Sequence, residues 1–201
     1  MMFRMSTPII LHLRRKCQNF WQEVYNKNMN IILFIILVII ILFLIFFGIS
    51  TLISLYGGVP FVDSGSDIFR QAFKMANLRQ GKVLYELGSG IGTGIVIASR
   101  EYKARVCGVE ISPLYYLISK IRGSSDKNIN VIYSDIMKVN LHSADVVYCY
   151  LIPKLMKALE QKFKHELKSG ALVVSLAFQL PNTKPYKIEK IKNRTLYLYK
   201  F

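Results

Sequence analysis

The sequence predicts an α/β domain with a mostly parallel sheet and a C-terminal antiparallel hairpin, preceded by one transmembrane helix. After residue 81, short apolar segments alternate with amphipathic ones, which is typical of a parallel sheet covered by helices on both faces. An acidic residue ends or follows each of the first three segments, at intervals of 24 and 25 residues: Glu86, Glu110 and Asp135. Each interval is the length of one strand-helix-strand unit. Residues 31–47 are apolar without interruption.

The 201-residue chain has four parts, one of which contains that apolar run. Residues 1–30 are polar to amphipathic and suit an interfacial helix, and residues 31–55 carry no charge. As a helix, residues 31–55 would reach about 37 Å, more than the roughly 30 Å core of a bilayer. A cleaved signal peptide fits less well, because the preceding region is long and no small-residue cleavage site follows. Residues 56–80 are then a linker and a helix, and residues 81–201 are the α/β domain.

The formal net charge of +15 does not by itself indicate nucleic-acid binding. The basic residues are dispersed, and no basic motif interleaved with aromatic residues occurs, so a surface attracted to anionic lipid is the simpler interpretation. The three cysteines form neither a CxxC pair nor a disulfide framework, and the three histidines have no partner at metal-ligand spacing. We therefore expect reduced thiols, no metal and no nucleic-acid partner.

The domain elements follow from periodicity and turn residues. A helix is predicted over residues 67–77, because its apolar residues share one face. Beyond it, the pattern predicts five strands at 82–86, 105–110, 130–133, 146–150 and 172–177, separated by helices at 93–102, 113–122 and 154–167. Residues 186–191 and 195–201 are strand-like and joined by a short polar turn, so they form the antiparallel hairpin.

The glycine loop after the first strand limits the ligand. Gly88, Gly90, Gly92 and Gly94 alternate with other residues, so the third glycine of a dinucleotide-binding fingerprint is missing, and no phosphate-binding Gly-Lys-Ser/Thr occurs. Glu86 would repel a pyrophosphate but suits a ligand with an ammonium and a sulfonium. The following helix N-terminus is suited to that ligand's carboxylate.

S-adenosylmethionine carries these groups. Glu110 is placed to accept both ribose hydroxyls, as the acid after the second strand does in nucleotide folds, and Asp135 is placed to accept from the adenine amine. Taken singly, each acid is also explained as a helix cap or an exposed strand end, and Asp135 most readily of the three.

The motif ELGSGIG at residues 86–92, the strand at 145–150 and the turn at 167–170 resemble the class I S-adenosylmethionine-dependent methyltransferases. The resemblance implies a Rossmann-like sheet and the cofactor-binding residues Glu86, Gly88, Ser89, Gly90, Gly92, Glu110 and Asp135. Two further segments make the resemblance more specific: residues 58–62 after the apolar run and residues 150–153 after the fourth strand. They are similar to the membrane-anchored mitochondrial lysine methyltransferases that act on the c subunit of ATP synthase and on the adenine nucleotide translocase. Ile91 departs from the family, which tends to carry a polar or acidic residue there.

The acceptor side carries fewer signals. Tyr150, at the end of the fourth strand, is the candidate for orienting an amine, with Tyr148, Pro153 and Phe61 as candidate rim residues. For Tyr148, an ordinary core position on a buried strand is an equally plain explanation, because strands favour aromatic residues.

Three functions remain open at this point. The first is a membrane-tethered protein lysine N-methyltransferase that acts on a membrane-proximal residue of an integral protein. The second is a small-molecule or lipid methyltransferase, for example of a quinone precursor, and the third is a non-catalytic, membrane-docked binding module. The basic residues on both sides of the apolar run leave the topology undecided. The cofactor supply favours a domain that faces the cytosol or matrix.

Overall fold

The computed structural model describes residues 7–56 and 62–201. The predicted glycine-proline linker at 57–60 and the rim residue Phe61 lie outside the described residues. The helices are α1 (Thr7–Tyr56), α2 (Ser66–Met75), α3 (Thr93–Tyr102), α4 (Pro113–Gly123) and α5 (Pro153–Glu166). The strands are β1 (Val83–Leu87), β2 (Arg105–Glu110), β3 (Ile129–Tyr133), β4 (Val146–Cys149), β5 (Leu172–Leu176), β6 (Lys187–Ile191) and β7 (Arg194–Lys200).

All seven strands form one sheet in the order β3-β2-β1-β4-β5-β7-β6. The first five strands are parallel, whereas β7 pairs antiparallel with both β5 and β6. The predicted fold class, a mostly parallel Rossmann-like sheet with a C-terminal antiparallel hairpin, is therefore confirmed. The strand order reverses between β1 and β4, so the carboxyl ends of these two strands flank a crevice of the kind where ligands bind in such folds.

Two apolar layers hold the sheet, one on each face. On one face, α2 and α3 bury residues such as Phe69, Phe73 and Ile95 against the strands. On the other face, α5 buries Met156 and Phe163. Because both faces are covered, the central strands are near-continuous apolar runs, and this explains why they are recognisable in the sequence.

Two elements before the sheet extend the sequence-based description. Helix α1 runs continuously through residue 30, where the polar segment meets the apolar one. Within α1, the stretch Arg14–Ile53 is long and apolar enough to cross a membrane. Helix α2, predicted to precede the domain, is part of its core, because Phe69 and Phe73 pack against the ring of Tyr148 at centroid distances of 5.0 and 6.0 Å.

The cysteines of the domain occupy strands of the core. Cys107 on β2 and Cys149 on β4 are buried free thiols that flank β1. Burial raises the pKa of Cys107 to about 11 and that of Cys149 to about 12. Both thiols are therefore protonated core residues at neutral pH.

Candidate functional site

A cavity of about 300 Å³ lies at the carboxyl ends of β1, β2 and β4. It brings together most of the residues that the sequence singled out: Glu86, Gly88, Ser89, Gly90, Glu110, Asp135, Tyr148 and Tyr150. Two others lie elsewhere. Gly92 packs beside Ser119, and Pro153 is exposed at the first position of α5, where its fixed φ suits a helix start.

Glu110 organises the glycine loop. One carboxylate oxygen, Oε2, accepts a hydrogen bond from the backbone N–H of Gly90 at 2.8 Å, and the other, Oε1, accepts from the backbone N–H of Ser112 at 2.8 Å. Burial raises the pKa of Glu110, and these backbone donors oppose that rise. The side chain therefore fixes the loop to the end of β2, and each oxygen keeps a lone pair for a hydroxyl in the cavity.

Glu86 is the least well satisfied charge in the site. Its side chain is 2% exposed, and its Oε2 atom has no hydrogen-bond partner. Burial raises the pKa of Glu86 well above its ordinary value, and the nearby carboxylates of Asp63 and Glu110 raise it further. A buried, unpartnered carboxylate oxygen that lines a cavity is the expected counterpart of a cationic ligand group.

Gly94 makes room for that carboxylate. A Cβ atom at this position would lie 2.4 Å from the ring of Phe69 and 2.5 Å from Glu86 Oε2. The first turn of α3 therefore approaches Glu86 closely only because residue 94 has no side chain. The spacing of the glycines in the sequence argues against a dinucleotide site, but it does not reveal this packing role of Gly94.

The loop between β1 and α3 forms the floor of the cavity. Gly88, Gly90 and Gly92 have φ values of +79°, +54° and +82°, which other residues rarely adopt. The backbone N–H groups of Gly88 and Ser89 donate to the carbonyl of Val109, and Ser89 Oγ is buried without a partner. This hydroxyl and Glu86 Oε2 together offer unsatisfied polar atoms to a ligand.

Asp135 also lines the cavity. It is half-buried, and Oδ1 accepts from the backbone N–H of Met137 at 2.9 Å, so the turn explanation accounts for part of its role. Its position in the cavity lining leaves its second oxygen available there. The carbonyl of Ile91, the position that departs from the family pattern, accepts from Arg122 at 3.0 Å.

Comparison with known proteins agrees with this geometry. A family model described as "ANTKMT methyltransferase domain" matches residues 86–187, about half of the chain. The chain belongs to this methyltransferase family. The matched stretch begins at Glu86 and includes Glu110, Asp135 and Tyr150.

The methyltransferase has curated relatives. It is similar to a protein-lysine N-methyltransferase of Saccharolobus islandicus, with 28% identity over 70% of this chain and 92% of the relative. It is also similar to the adenine nucleotide translocase lysine N-methyltransferase of Mus musculus, with 30% identity over 65% of this chain and 58% of the relative. The chain thus matches nearly all of the first relative and little more than half of the second.

A solved structure shows the same architecture. An RNA methyltransferase from Salinibacter ruber, crystallised with S-adenosyl-L-homocysteine, aligns with a TM-score of 0.68 and 25% identity over 69% of this chain and 93% of that chain. The protein is therefore an S-adenosylmethionine-dependent methyltransferase, and the predicted cofactor is confirmed. The unpartnered Glu86 and Ser89 atoms, the open glycine loop and the acids on the walls fit that cofactor.

The outer part of the methyltransferase cavity is assembled from distant segments. Tyr148 is 2% exposed, and its hydroxyl donates to Ser64 Oγ at 2.9 Å. Arg194 on β7 donates to the carbonyl of Ser64 at 3.2 Å and lies over the ring of Tyr150 at 5.4 Å. Ser64 thus joins the segment before α2 to both the fourth strand and the hairpin.

The contacts in this part of the cavity involve Asp63, Ser64 and Arg194, which the sequence did not indicate. Asp63 lines the cavity beside Ser64 and accepts from the backbone N–H of Gly65 at 3.3 Å. Of the two tyrosines that line the cavity, Tyr148 is a buried core residue, whereas Tyr150 is half-buried. No local motif marks Ser64 or Arg194, because their partners lie 84 and 130 residues away along the chain.

Proposed function

We propose that the protein is a membrane-tethered protein lysine N-methyltransferase whose target is a membrane-proximal lysine of an integral membrane protein. The lining of the acceptor side carries this proposal: apolar side chains together with Tyr150 and one carboxylate, Asp63. The relatives named as lysine N-methyltransferases support the lysine, and α1, which is long and apolar enough to cross a membrane, supports the tether.

The cofactor roles follow from the positions of the polar groups. Glu86 would bind the ammonium of the cofactor, and Glu110 would accept from its ribose hydroxyls. Asp135 would accept from the adenine amine, while the loop at 88–90 offers close backbone approach. Gly92 would serve indirectly, as the residue of left-handed conformation that immediately precedes α3. When bound, S-adenosylmethionine supplies an electrophilic methyl group on a sulfonium.

The chain's own residues prepare the acceptor. A lysine must lose its proton before it can act as a nucleophile, and an apolar, water-poor pocket lowers the pKa of an amine because it disfavours the charged form. Val62, Leu151 and Leu155 line that part of the cavity. Asp63, which is exposed, would attract the incoming ammonium, and Tyr150 would orient the neutral amine for in-line transfer.

Tyr148 and Ser64 act one step further from the acceptor. Their buried hydrogen bond fixes the segment that carries Val62 and Asp63 over the cavity. Pro153 begins α5 immediately after the segment that carries Leu151, so it would affect the rim through the path of the chain. Phe61 stays a candidate rim residue on the strength of the sequence alone.

The tether explains how a small domain would find such a target. Confinement to the same membrane raises the effective concentration of the domain near lysines at that surface. The domain would face the cytosol or matrix, where the cofactor is made or imported. Protease protection of a C-terminal tag in sealed vesicles of known orientation tests this. A tag on the cytosolic or matrix side supports the orientation, and a tag on the opposite side of the membrane would contradict it.

The acceptor class is tested by methyl transfer into native membranes. The full chain is incubated with membranes and S-adenosylmethionine labelled on its methyl group, and the membranes are separated into protein and lipid fractions. Label in lysine of an integral protein supports the proposal. Label in extractable lipid or small molecules alone would favour the lipid or quinone-type alternative. No transfer despite cofactor binding would favour a non-catalytic binding module. Glu110→Ala is the matched control.

A further inference from the structure

Helix α4 buries its small residues and exposes two of its large apolar ones. Ser119 and Gly123 are its buried residues, and a Cβ on Gly123 would lie 2.7 Å from Ile129 on β3. Leu117 is 48% exposed and Ile121 is 63% exposed. This is the reverse of α2, which buries its large apolar residues against the sheet. A helix on the surface of a globular domain normally turns its apolar side to the core.

The exposed residues form a continuous stripe. Leu114, Leu117, Ile118 and Ile121 are spaced i, i+3, i+4 and i+7, which places them on one face over about 10 Å of helix. Leu114 and Ile118 are half-buried and the other two are exposed. We call these four residues the α4 stripe. Spacing of this kind is used by helices that bury one side in an apolar phase.

The charges and rings beside the α4 stripe suit a lipid surface. α4 carries Lys120 and Arg122 and no acidic residue, and both cations are exposed. Tyr133, on the neighbouring edge strand β3, is 51% exposed and contacts the ring of Tyr116 at 5.4 Å. Cations attract anionic headgroups, and tyrosine rings are enriched at the boundary between headgroups and hydrocarbon.

The start of α4 contacts the end of the apolar span. Ser50, which belongs to the same compact unit as α4, lies within the stretch Arg14–Ile53 that is suited to crossing a membrane. Its hydroxyl is 2.7 Å from the hydroxyl of Ser112, and it accepts from the backbone N–H of Leu114 at 3.1 Å. The first turn of α4 is therefore held a few residues from where the chain would leave the bilayer.

We propose that the α4 stripe lies in the headgroup layer of an anionic membrane, on the same side as the catalytic domain. This proposal rests on the membrane anchoring proposed above. Charge complementarity and the contact with Ser50 favour lipid over a second protein as the occupant of this face. The stripe is short, so it orients a domain that is already tethered rather than anchoring it alone.

The consequence concerns the substrate. Tyr115, on the same helix, lines the cavity. With the stripe in the headgroup layer, the cavity would be held close to the membrane surface. The enzyme would then select lysines at or near headgroup depth and disfavour lysines on extended soluble domains.

Tryptophan quenching tests this placement in the full chain. Trp21 is the single tryptophan and is replaced by phenylalanine to give a background without tryptophan. Ile121→Trp then reports on α4, and Ile188→Trp is the matched control, because Ile188 is 52% exposed on β6 at the opposite edge of the sheet. Both are reconstituted in phosphatidylcholine vesicles with phosphatidylglycerol, with and without brominated acyl chains.

We expect brominated lipid to quench residue 121 at least about twofold more than residue 188, since interfacial helices bury their apolar face at the acyl boundary. Replacing Leu117 with Asp in the Ile121→Trp chain should remove most of that difference. Equal quenching at the two positions would overturn the proposal. A blue-shifted emission at residue 121 without quenching would also overturn it, because a second copy of the chain would then cover the face.

Flotation of the same vesicles separates this proposal from the anchoring on which it rests. A chain that floats with vesicles but shows no selective quenching retains its anchor and contradicts only the placement of α4. A chain that does not float contradicts both.

Discussion

The cavity has two proposed halves, one for the cofactor and one for the acceptor, and the two are built in different ways. In the cofactor half, Glu110 holds Gly90 and Ser112, which lie 20 and 2 residues away along the chain. In the acceptor half, Ser64 is held by Tyr148 and Arg194, at separations of 84 and 130 residues. The first half is thus a property of successive strand-loop-helix units, whereas the second exists only when the whole domain has folded.

Because the halves are built separately, their functions should be lost separately. Damage to the cofactor half should abolish cofactor binding and, with it, all transfer. Damage to the acceptor half should leave the cofactor bound and impair only the use of the acceptor. Substitutions at Glu110, Glu86, Arg194 and the Tyr148–Ser64 pair test this separation, from the largest expected effect to the smallest.

Glu110→Ala should have the largest effect. It removes the acceptor for two backbone N–H groups and the proposed partner of the ribose hydroxyls. Hydrogen bonds to charged groups contribute about 1.5–3 kcal/mol each, so the affinity for S-adenosylhomocysteine should fall by roughly a hundredfold or more. Isothermal titration calorimetry measures this loss.

Asp145→Ala is the matched control for that change. Asp145 is also a largely buried acid next to a strand, and it accepts a hydrogen bond from the backbone N–H of Val83 at 2.8 Å. It lies at the amino end of β4, however, away from the cavity at the carboxyl ends of the strands. The variant should lose stability and keep its cofactor affinity. An equal loss of affinity in both variants would show a general folding defect and contradict the assigned role of Glu110.

Glu86→Gln should separate binding from stability. The folded pKa of Glu86 is raised by burial, so the wild-type side chain stabilises the fold fully below its unfolded pKa and loses that contribution as the pH rises through the folded pKa. The cofactor-free variant should therefore be more heat-stable than wild type near neutral pH, by about 2–4 °C per kcal/mol relieved, with the gap closing in acid.

The same variant should bind the cofactor about tenfold or more weakly, because a charge-assisted partner of the ammonium is lost. In wild type, cofactor affinity should fall with decreasing pH, beginning above the ordinary carboxyl pKa range, since only the ionised Glu86 pairs with a cation. Differential scanning fluorimetry and calorimetry across pH give both results. A variant that is less stable and binds normally would remove Glu86 from the site.

Arg194→Leu should affect the acceptor half alone. It removes the cation over the ring of Tyr150 and the donor to the Ser64 carbonyl. A cation–π contact contributes about 0.5–2 kcal/mol, so KM for the acceptor should rise roughly 2- to 30-fold with the cofactor affinity unchanged. Lys192→Ala is the control on the same hairpin. It breaks an exposed ion pair between Lys192 and Asp67 of α2, and it should change neither the acceptor KM nor the cofactor affinity. A weaker cofactor affinity in Arg194→Leu would contradict the separation.

The hydrogen bond between Tyr148 and Ser64 should give the smallest effect. Tyr148→Phe and Ser64→Ala each remove one partner of a buried bond of 2.9 Å. In a double-mutant cycle on the free energy of unfolding, we expect a coupling of about 1 kcal/mol and a modest rise in acceptor KM. A coupling near zero would show that the two side chains do not hold the segment before α2.

The same contrast between the two halves explains what could be predicted from the sequence. The parallel sheet, the antiparallel hairpin and the cofactor followed from regular alternation and from Glu86, Glu110 and Asp135, because even spacing places strand-end acids at one edge of a parallel sheet. For the proposed acceptor half, the sequence offered four candidates: Tyr150, Tyr148, Pro153 and Phe61. Ser64 and Arg194 were missed, since neither has a local pattern and each acquires its role from a contact across the fold.

The helices follow the same rule. α2 was predicted correctly from its apolar face, but its place in the core depends on the ring of Tyr148, which no periodicity reveals. α4 was also predicted in position. That its small residues face the sheet while the α4 stripe faces outward depends on the close approach of Gly123 to β3, which only the structure shows.

The affinity of S-adenosylhomocysteine for the full chain tests the division of the cavity most directly, when it is measured by calorimetry on wild type, Glu110→Ala and Tyr150→Ala. We predict one-to-one binding to wild type, unchanged binding to Tyr150→Ala, and loss of binding to Glu110→Ala. Binding that survives in Glu110→Ala, or that is lost equally in Tyr150→Ala, would contradict a cavity divided into cofactor and acceptor halves.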